Sequence, residues 1–172
     1  MGNTNKENYT VLHLLPCHWE EYKSIRLEAL ETNPEMFGSP YAKESTYSEM
    51  EWKALLENKY RGMFALYHNQ SLIGLSGVTI KKDNTATAIF FASYIKPAHR
   101  GKGLSNLLYE ARMEWVRLQK CQFITVSHRA GNESSEAAIK RFGFKYSHTE
   151  PVNWPDGIKA DELTYLFQLN QS

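Results

Sequence analysis

The 172-residue sequence predicts an α/β fold with one central mixed β-sheet flanked by helices, and three observations support this. Two β-rich runs, residues 63–67 and 72–80, are separated only by His68-Asn69-Gln70-Ser71, which reads as an antiparallel hairpin. A third run, 86–95, leads through a glycine-bearing turn into a long amphipathic helix and then into the apolar run 123–127. That strand–helix–strand order makes two neighbouring strands parallel. The length is that of about one domain, 1–172, in which folding buries roughly 70% of the surface an unfolded chain exposes.

The elements follow in order. A first strand is expected near residues 11–15, where Pro16 ends it. Trp19, Tyr22, Ile25, Ala29 and Leu30 then mark one helical face until Asn33-Pro34 stops the helix. A second helix near 49–57 carries Trp52, Leu55 and Leu56 and precedes the hairpin. Lys81-Lys82-Asp83-Asn84 forms a polar turn before the run 86–95, which is rich in β-branched and aromatic residues. In the next helix Leu104, Leu107, Leu108, Ala111, Trp115 and Leu118 recur at three- and four-residue steps. A helix near 133–142 and closing strands near 144–149 and 163–169 complete the sheet. The stretch 150–161, with Pro151, Trp154, Pro155 and Gly157, reads as a late loop of the kind that often carries function.

Chemistry concentrates between the third run and its helix, in Ile95-Lys96-Pro97-Ala98-His99-Arg100-Gly101-Lys102-Gly103-Leu104-Ser105. A helix start leaves backbone N–H groups without intrahelical partners and sets partial positive charge behind them, so an anion fits there. Gly101 and Gly103 permit positive φ and close approach of a diphosphate to the main chain, and Arg100 and Lys102 add charge. A Walker loop is absent, and Asn106 stands where the dinucleotide fingerprint needs its third glycine.

From Arg100 to Ser105 the stretch instead approaches R-x-x-G-x-G/A, with Ser105 in the last place, and so resembles the acetyl-CoA motif of the GNAT superfamily of N-acetyltransferases. Residues 22–41 resemble the first helix and turn of many members, and 132–144 resembles the segment N-x-x-A-x-x-L-Y-x-x-x-G-F. The resemblance implies acetyl-CoA as co-substrate, and direct transfer of its acetyl group to a primary amine through a tetrahedral intermediate. It implies that Ser93, Tyr94 and Ile95 lie beside the pantetheine arm, with a backbone N–H near Tyr94 or Ile95 facing the thioester oxygen. Arg100, Gly101, Lys102, Gly103, Leu104 and Ser105 would hold the diphosphate, and Asn132 would contact the arm while capping its helix. Lys140 and Arg141 read as a solvated helix face.

The catalytic positions depart from that pattern. Ile139 occupies the place of the tyrosine that usually protonates the departing thiolate, and Ser127 the place of a basic glutamate found in some protein N-terminal acetyltransferases. A thiol with a pKa near ~8.5 leaves as thiolate without help, but the amine must still shed a proton. His128, Glu28 and Glu31 are candidate bases, although His128 also reads as a plain exposed strand-end residue. Tyr146 or Tyr94 are candidate proton donors. Glu28, Glu31, Glu35, Glu150 and Asp156 would draw a cationic amine toward the site, and Trp154 would wall it or pin its own loop. The acceptor stays open between a small molecule and a peptide or protein amine. A non-catalytic acetyl-CoA-binding sensor is the alternative reading.

A net charge of +1 with interleaved acids and bases lacks the basic face that nucleic acid requires. Cys17 and Cys121 have no metal-ligand spacing and read as ordinary thiols, so no metal is expected. The polar start 1–8 carries neither a signal peptide nor a myristoylation motif, and no window is long enough to cross a bilayer. A cytoplasmic protein without membrane partners is therefore expected, its oligomeric state left open with a homodimer among the options.

Overall fold

A computed structural model describes residues 8–170, so the polar start read above lies outside the described residues up to position 7. The elements are β1 (Tyr9–His13), α1 (Trp19–Thr32), α2 (Tyr41–Glu44), α3 (Glu49–Glu57), β2 (Arg61–His68), β3 (Ser71–Lys81), β4 (Asn84–Ile95), α4 (Ser105–Leu118), β5 (Phe123–Arg129), α5 (Glu133–Phe142), β6 (Lys145–Asn153) and β7 (Lys159–Gln168). One seven-stranded sheet runs β1-β2-β3-β4-β5-β7-β6, and every neighbouring pair is antiparallel except β4 and β5. The mixed sheet is as expected. Its last two strands are not in chain order, because β7 pairs with β5 and leaves β6 at the edge.

Strand periodicity divides the core between the two faces. Along β2, Met63 and Ala65 join Tyr22, Ile25, Trp52 and Tyr94 beneath α1 and α3, whereas Phe64 and Leu66 join Leu104, Leu108, Val116 and Ile139 beneath α4 and α5. Leu118 departs from the expected α4 face: it is 75% exposed at the helix end, and Arg112 and Met113 are buried instead. The stretch 150–161 is no loop. β6 continues through Asn153 and β7 begins at Lys159, so only 154–158 turns. Pro151 fits because β6 is an edge strand, where a missing N–H costs no ladder bond.

Helix α2 was not foreseen, and it is fastened by charge. Arg26 on α1 forms a bidentate pair with Glu44, Nε to Oε1 and Nη2 to Oε2 both at 2.9 Å. Burial pushes the Glu44 carboxyl up, but Arg26 outweighs it and holds the group below the ordinary carboxylate range. The stabilisation is thus complete at neutral pH and lost as pH falls through that lowered pKa.

Gly77 on β3 has no room for a side chain, since a Cβ there would lie 2.6 Å from Phe91 Cζ and 2.8 Å from Met63 Sδ. Gly77→Ala is expected to lower stability by about 1–3 kcal/mol through overpacking. Urea unfolding measures it, and an unchanged midpoint would contradict it.

Candidate active site

The cleft follows from a break in the sheet. β4 and β5 pair only from Thr87↔Phe123 to Phe90↔Val126, although β4 runs on to Ile95 and β5 to Arg129. Beyond that register the strands part. A β-bulge widens the gap: pairing with β3 slips between Leu75 and Gly77, and opposite the slip Ala92 takes φ +58°. Positive φ is costly for alanine and is held by its surroundings, as is common where strain serves a site. The resulting cleft has a volume of about 480 Å³ and is walled by the ends of β4 and β5, the loop before α4, α4, α5, and Met36 and Phe37.

The loop before α4 leaves main-chain donors open. Gly101 and Gly103 have φ of +78° and +71°, and a Cβ at either would meet nothing within 4 Å. Among the described residues, the N–H groups of Gly101, Gly103, Leu104 and Ser105 find no acceptor, while the Gly103 and Leu104 carbonyls already accept from Asn106 and Leu107. Unpaired donors at the start of a fourteen-residue helix, in open space, suit a diphosphate in shape and charge. Arg100 braces the loop, its Nε donating to the Ile95 carbonyl at 2.7 Å and its Nη2 to Asn33 Oδ1 at 2.8 Å. His99 lines the cleft too, and burial followed by Lys102, His68 and Lys96 lowers its pKa.

Of the residues expected around the co-substrate, Ser93, Tyr94, Ile95, Arg100, Gly101, Gly103, Leu104, Ser105 and Asn132 line this one cleft, and Lys102 does not. Asn132 caps α5, its Oδ1 accepting from the Ser135 amide at 3.2 Å. Lys140 pairs with Glu136 at 2.6 Å along the exposed side of α5, and Arg141 is exposed as expected while also lining the cleft.

His128 also lines the cleft, and it is buried at 5% exposure rather than a free strand-end residue. Its Nδ1 lies 2.8 Å from the Arg129 carbonyl, which only accepts, so Nδ1 carries the hydrogen. Nε2 then accepts from the Tyr165 hydroxyl at 3.2 Å. Alternation along β5 could have found this burial, because His128 shares a face with Ile124 and Val126.

The other candidates lie elsewhere. Tyr146 is 58% exposed on the edge strand, paired through its hydroxyl with Thr149 Oγ1 at 2.7 Å and absent from the cleft wall. Tyr165, not Tyr146, stands beside His128. Trp154 is buried and pins the β6–β7 turn, its Nε1 donating to the Ala160 carbonyl at 3.1 Å. Asp156 is tied to Arg129 at 2.7 Å, which holds its carboxyl below the ordinary range, and Arg129 also donates to the Glu35 carbonyl at 3.2 Å. Glu31, Glu35 and Glu150 are exposed and off the cleft wall. Glu28 does not line it either, but accepts from the Tyr94 hydroxyl at 2.9 Å and pairs with Lys96 at 3.2 Å. Burial, with Glu28 adding to it, pushes the Tyr94 phenol up. Among the described residues, no group of three or more His, Cys, Asp or Glu is placed to hold a metal, and no helix is long and apolar enough to cross a membrane.

Comparison with known proteins agrees with this geometry. The model of the acetyltransferase (GNAT) family matches residues 19–144. A Bacillus subtilis (strain 168) protein, named "Putative ribosomal protein bS18-alanine N-acetyltransferase", is 27% identical over 146 residues, 83% of this chain and 85% of its own. The structure described as yncA, a "putative acetyltransferase" from Salmonella typhimurium with its cofactor acetyl-CoA, superposes with a TM-score of 0.81 at 17% identity, covering 96% of both chains. A Brucella melitensis ribosomal-protein-alanine N-acetyltransferase superposes with a TM-score of 0.78 at 17% identity, over 93% of this chain and 99% of its own. Because the family match spans most of a chain whose cleft opens where the sheet splits above an anion-accepting helix start, the protein belongs to the acetyltransferase (GNAT) family and is an acetyl-CoA-dependent N-acetyltransferase.

Proposed function

We propose that the chain acetylates the α-amino group of a peptide or protein N-terminus, and that the cleft between β4 and β5 is where the transfer occurs. The observation that carries the site is the parting of two parallel strands after Phe90 and Val126, with unpaired amides at one end and His128 at the other. The choice of acceptor is supported by the likeness to two proteins named for ribosomal-protein alanine.

Residues Gly101, Gly103, Leu104 and Ser105 would hold the co-substrate's diphosphate through their amides, with Arg100 and Lys102 contributing charge. The free edge of β4 at Ser93–Ile95 would pair with its arm as one strand pairs with another, and Asn132 would meet the arm from the opposite side. When bound, acetyl-CoA supplies an activated acyl group on a thiol. The amine nitrogen bonds to the acyl carbon as the carbon–sulfur bond breaks with its electron pair on sulfur, and one amine proton must pass to a base. An α-amine, with a pKa near ~8, gives up that proton more readily than a lysine near ~10.4.

His128 is the base this reading favours, because its Nε2 is partnered only by a hydroxyl. A hydroxyl accepts as readily as it donates, so the charged ring would keep both N–H groups bonded, one to the Arg129 carbonyl and one to Tyr165 Oη. Holding amine and acyl group in line supplies the remaining rate.

A thiol-release assay with acetyl-CoA tests the acceptor. Peptides with a free N-terminal alanine or serine are expected to be acetylated at least tenfold faster than the same peptides with a blocked N-terminus and one lysine. Equal rates would refute the α-amine assignment, and CoA binding without turnover on any amine would favour a sensor.

A further inference from the structure

Arg112 is the one buried charge of the cleft that the foregoing chemistry leaves without a role. It projects from the middle of α4, is 1% exposed, and lines the cleft. Its neighbours are neutral. Nε donates to the Leu108 carbonyl at 3.2 Å, and Nη1 donates to the Gly77 carbonyl and to Ser93 Oγ, both at 3.3 Å. Its guanidinium lies over the rings of Phe90, at 4.2 Å from the centroid, and Tyr109, at 4.7 Å.

Two other withdrawn arginines show what is missing. Arg26 has Glu44 and Arg129 has Asp156, whereas no carboxylate pairs with Arg112 among the described residues. Burying a charge without a counterion is unfavourable. Burial brings the pKa of Arg112 down to about 10, although Tyr109 works in the opposite direction, so the group is still charged at neutral pH. Aromatic faces and long neutral hydrogen bonds only partly offset that cost.

Location says which anion would complete the pair. Arg112 stands seven residues into the helix from Ser105, about 10 Å along its axis at 1.5 Å per residue, and so beyond the diphosphate cradle. It is bonded to Ser93 at the bulge, where the strands part. Apart from its phosphates, acetyl-CoA carries no negative charge, but acyl transfer creates one on the thioester oxygen and then on sulfur. Resting on the reading of the cleft as the acetyl-CoA site, we infer that Arg112 is a charge-supplying residue: its unpaired cation stabilises negative charge at the thiol end of the bound coenzyme. With Ile139 where a proton-donating tyrosine would stand, sulfur leaves as thiolate under that positive field rather than as thiol.

The other titratable or charged groups on the cleft wall are Tyr94, His99, Arg100, Tyr109, His128 and Arg141. The test is therefore comparative. CoA is bound to wild type and to Arg112→Met, and its thiolate is followed by ultraviolet absorption against pH. Desulfo-CoA complexes serve as blanks, which removes Cys17 and Cys121. In wild type the bound thiol is expected to titrate about one pH unit or more below the thiol of free CoA followed in the same buffer. In Arg112→Met it should return to that value, with kcat down at least tenfold and CoA affinity within threefold. Arg112→Lys, which keeps the charge on a smaller group, should retain part of the shift at neutral pH. An unshifted thiol in wild type, or one still lowered in Arg112→Met, overturns the inference even if the methionine variant folds poorly, because the wild-type titration alone can refute it. Failure of wild type to bind CoA in calorimetry, seen before any titration, overturns the site reading as well.

Discussion

Gly103→Glu is expected to lose at least about 100-fold in affinity for CoA while keeping the fold. Two costs act together. At φ +71° any L side chain pays roughly 1–2 kcal/mol for the left-handed conformation, which lowers affinity by as much as the free loop escapes it and binding restores it. The new carboxylate would also point into the space from which the Gly101, Gly103, Leu104 and Ser105 amides are approached, and two like charges about 4 Å apart repel by about 4 kcal/mol at an effective dielectric of 20. Nothing lies within 4 Å of the new Cβ, so packing is not disturbed. Gly103→Ala separates the terms, since it carries the conformational cost alone and should lose no more than about 30-fold. Calorimetric titration with CoA reads both variants, and wild-type affinity in the glutamate variant would remove the loop from the binding site.

His128→Ala is expected to lower kcat by about 10²–10⁴-fold, the range for losing a positioned base, with CoA affinity changed less than threefold. On the proposed reading phosphate recognition falls to the loop and not to this strand end, so binding and chemistry should separate. Tyr165→Phe removes the hydroxyl at Nε2 but leaves the bond from Nδ1 to the Arg129 carbonyl, so a smaller loss is expected. A variant without His128 that keeps the wild-type rate would move the base elsewhere.

What the sequence disclosed, and what it hid, follows from which residues advertise their backbone. Gly101 and Gly103 were legible because only glycine takes positive φ at no cost, and a glycine pair ahead of a helical stripe marks a cradle. Ala92 takes φ +58° without advertising it, so the bulge that opens the cleft was illegible. The α4 stripe was legible in its apolar members, but Arg112 lies on the buried side of that helix, where a charge is not expected. Leu118 misled because a helix can carry its stripe past the end of the surface it covers. Pro and Gly density between 150 and 161 suggested a loop, yet an edge strand accepts Pro151 and a five-residue turn needs only one glycine at positive φ, Gly157. The partner of His128 was hidden for a different reason. Tyr165 lies far along the chain, and only the insertion of β7 between β5 and β6 brings it there.

The interrupted ladder between β4 and β5 also bears on how the enzyme endures in a cell. Among the described residues, four registered residues on each strand and one further bond, from the Gln122 N–H to the Ala86 carbonyl, form the short ladder that couples the two halves of the sheet. On the proposed reading, a coenzyme lodged in the remaining gap would behave as an eighth strand borrowed from metabolism. Mass action then adds about 2.7 kcal/mol to folding when the free ligand is a hundredfold above its dissociation constant. Resistance to heat and to proteases would rise and fall with the acetyl-CoA supply, tying the lifetime of the catalyst to the abundance of what it consumes.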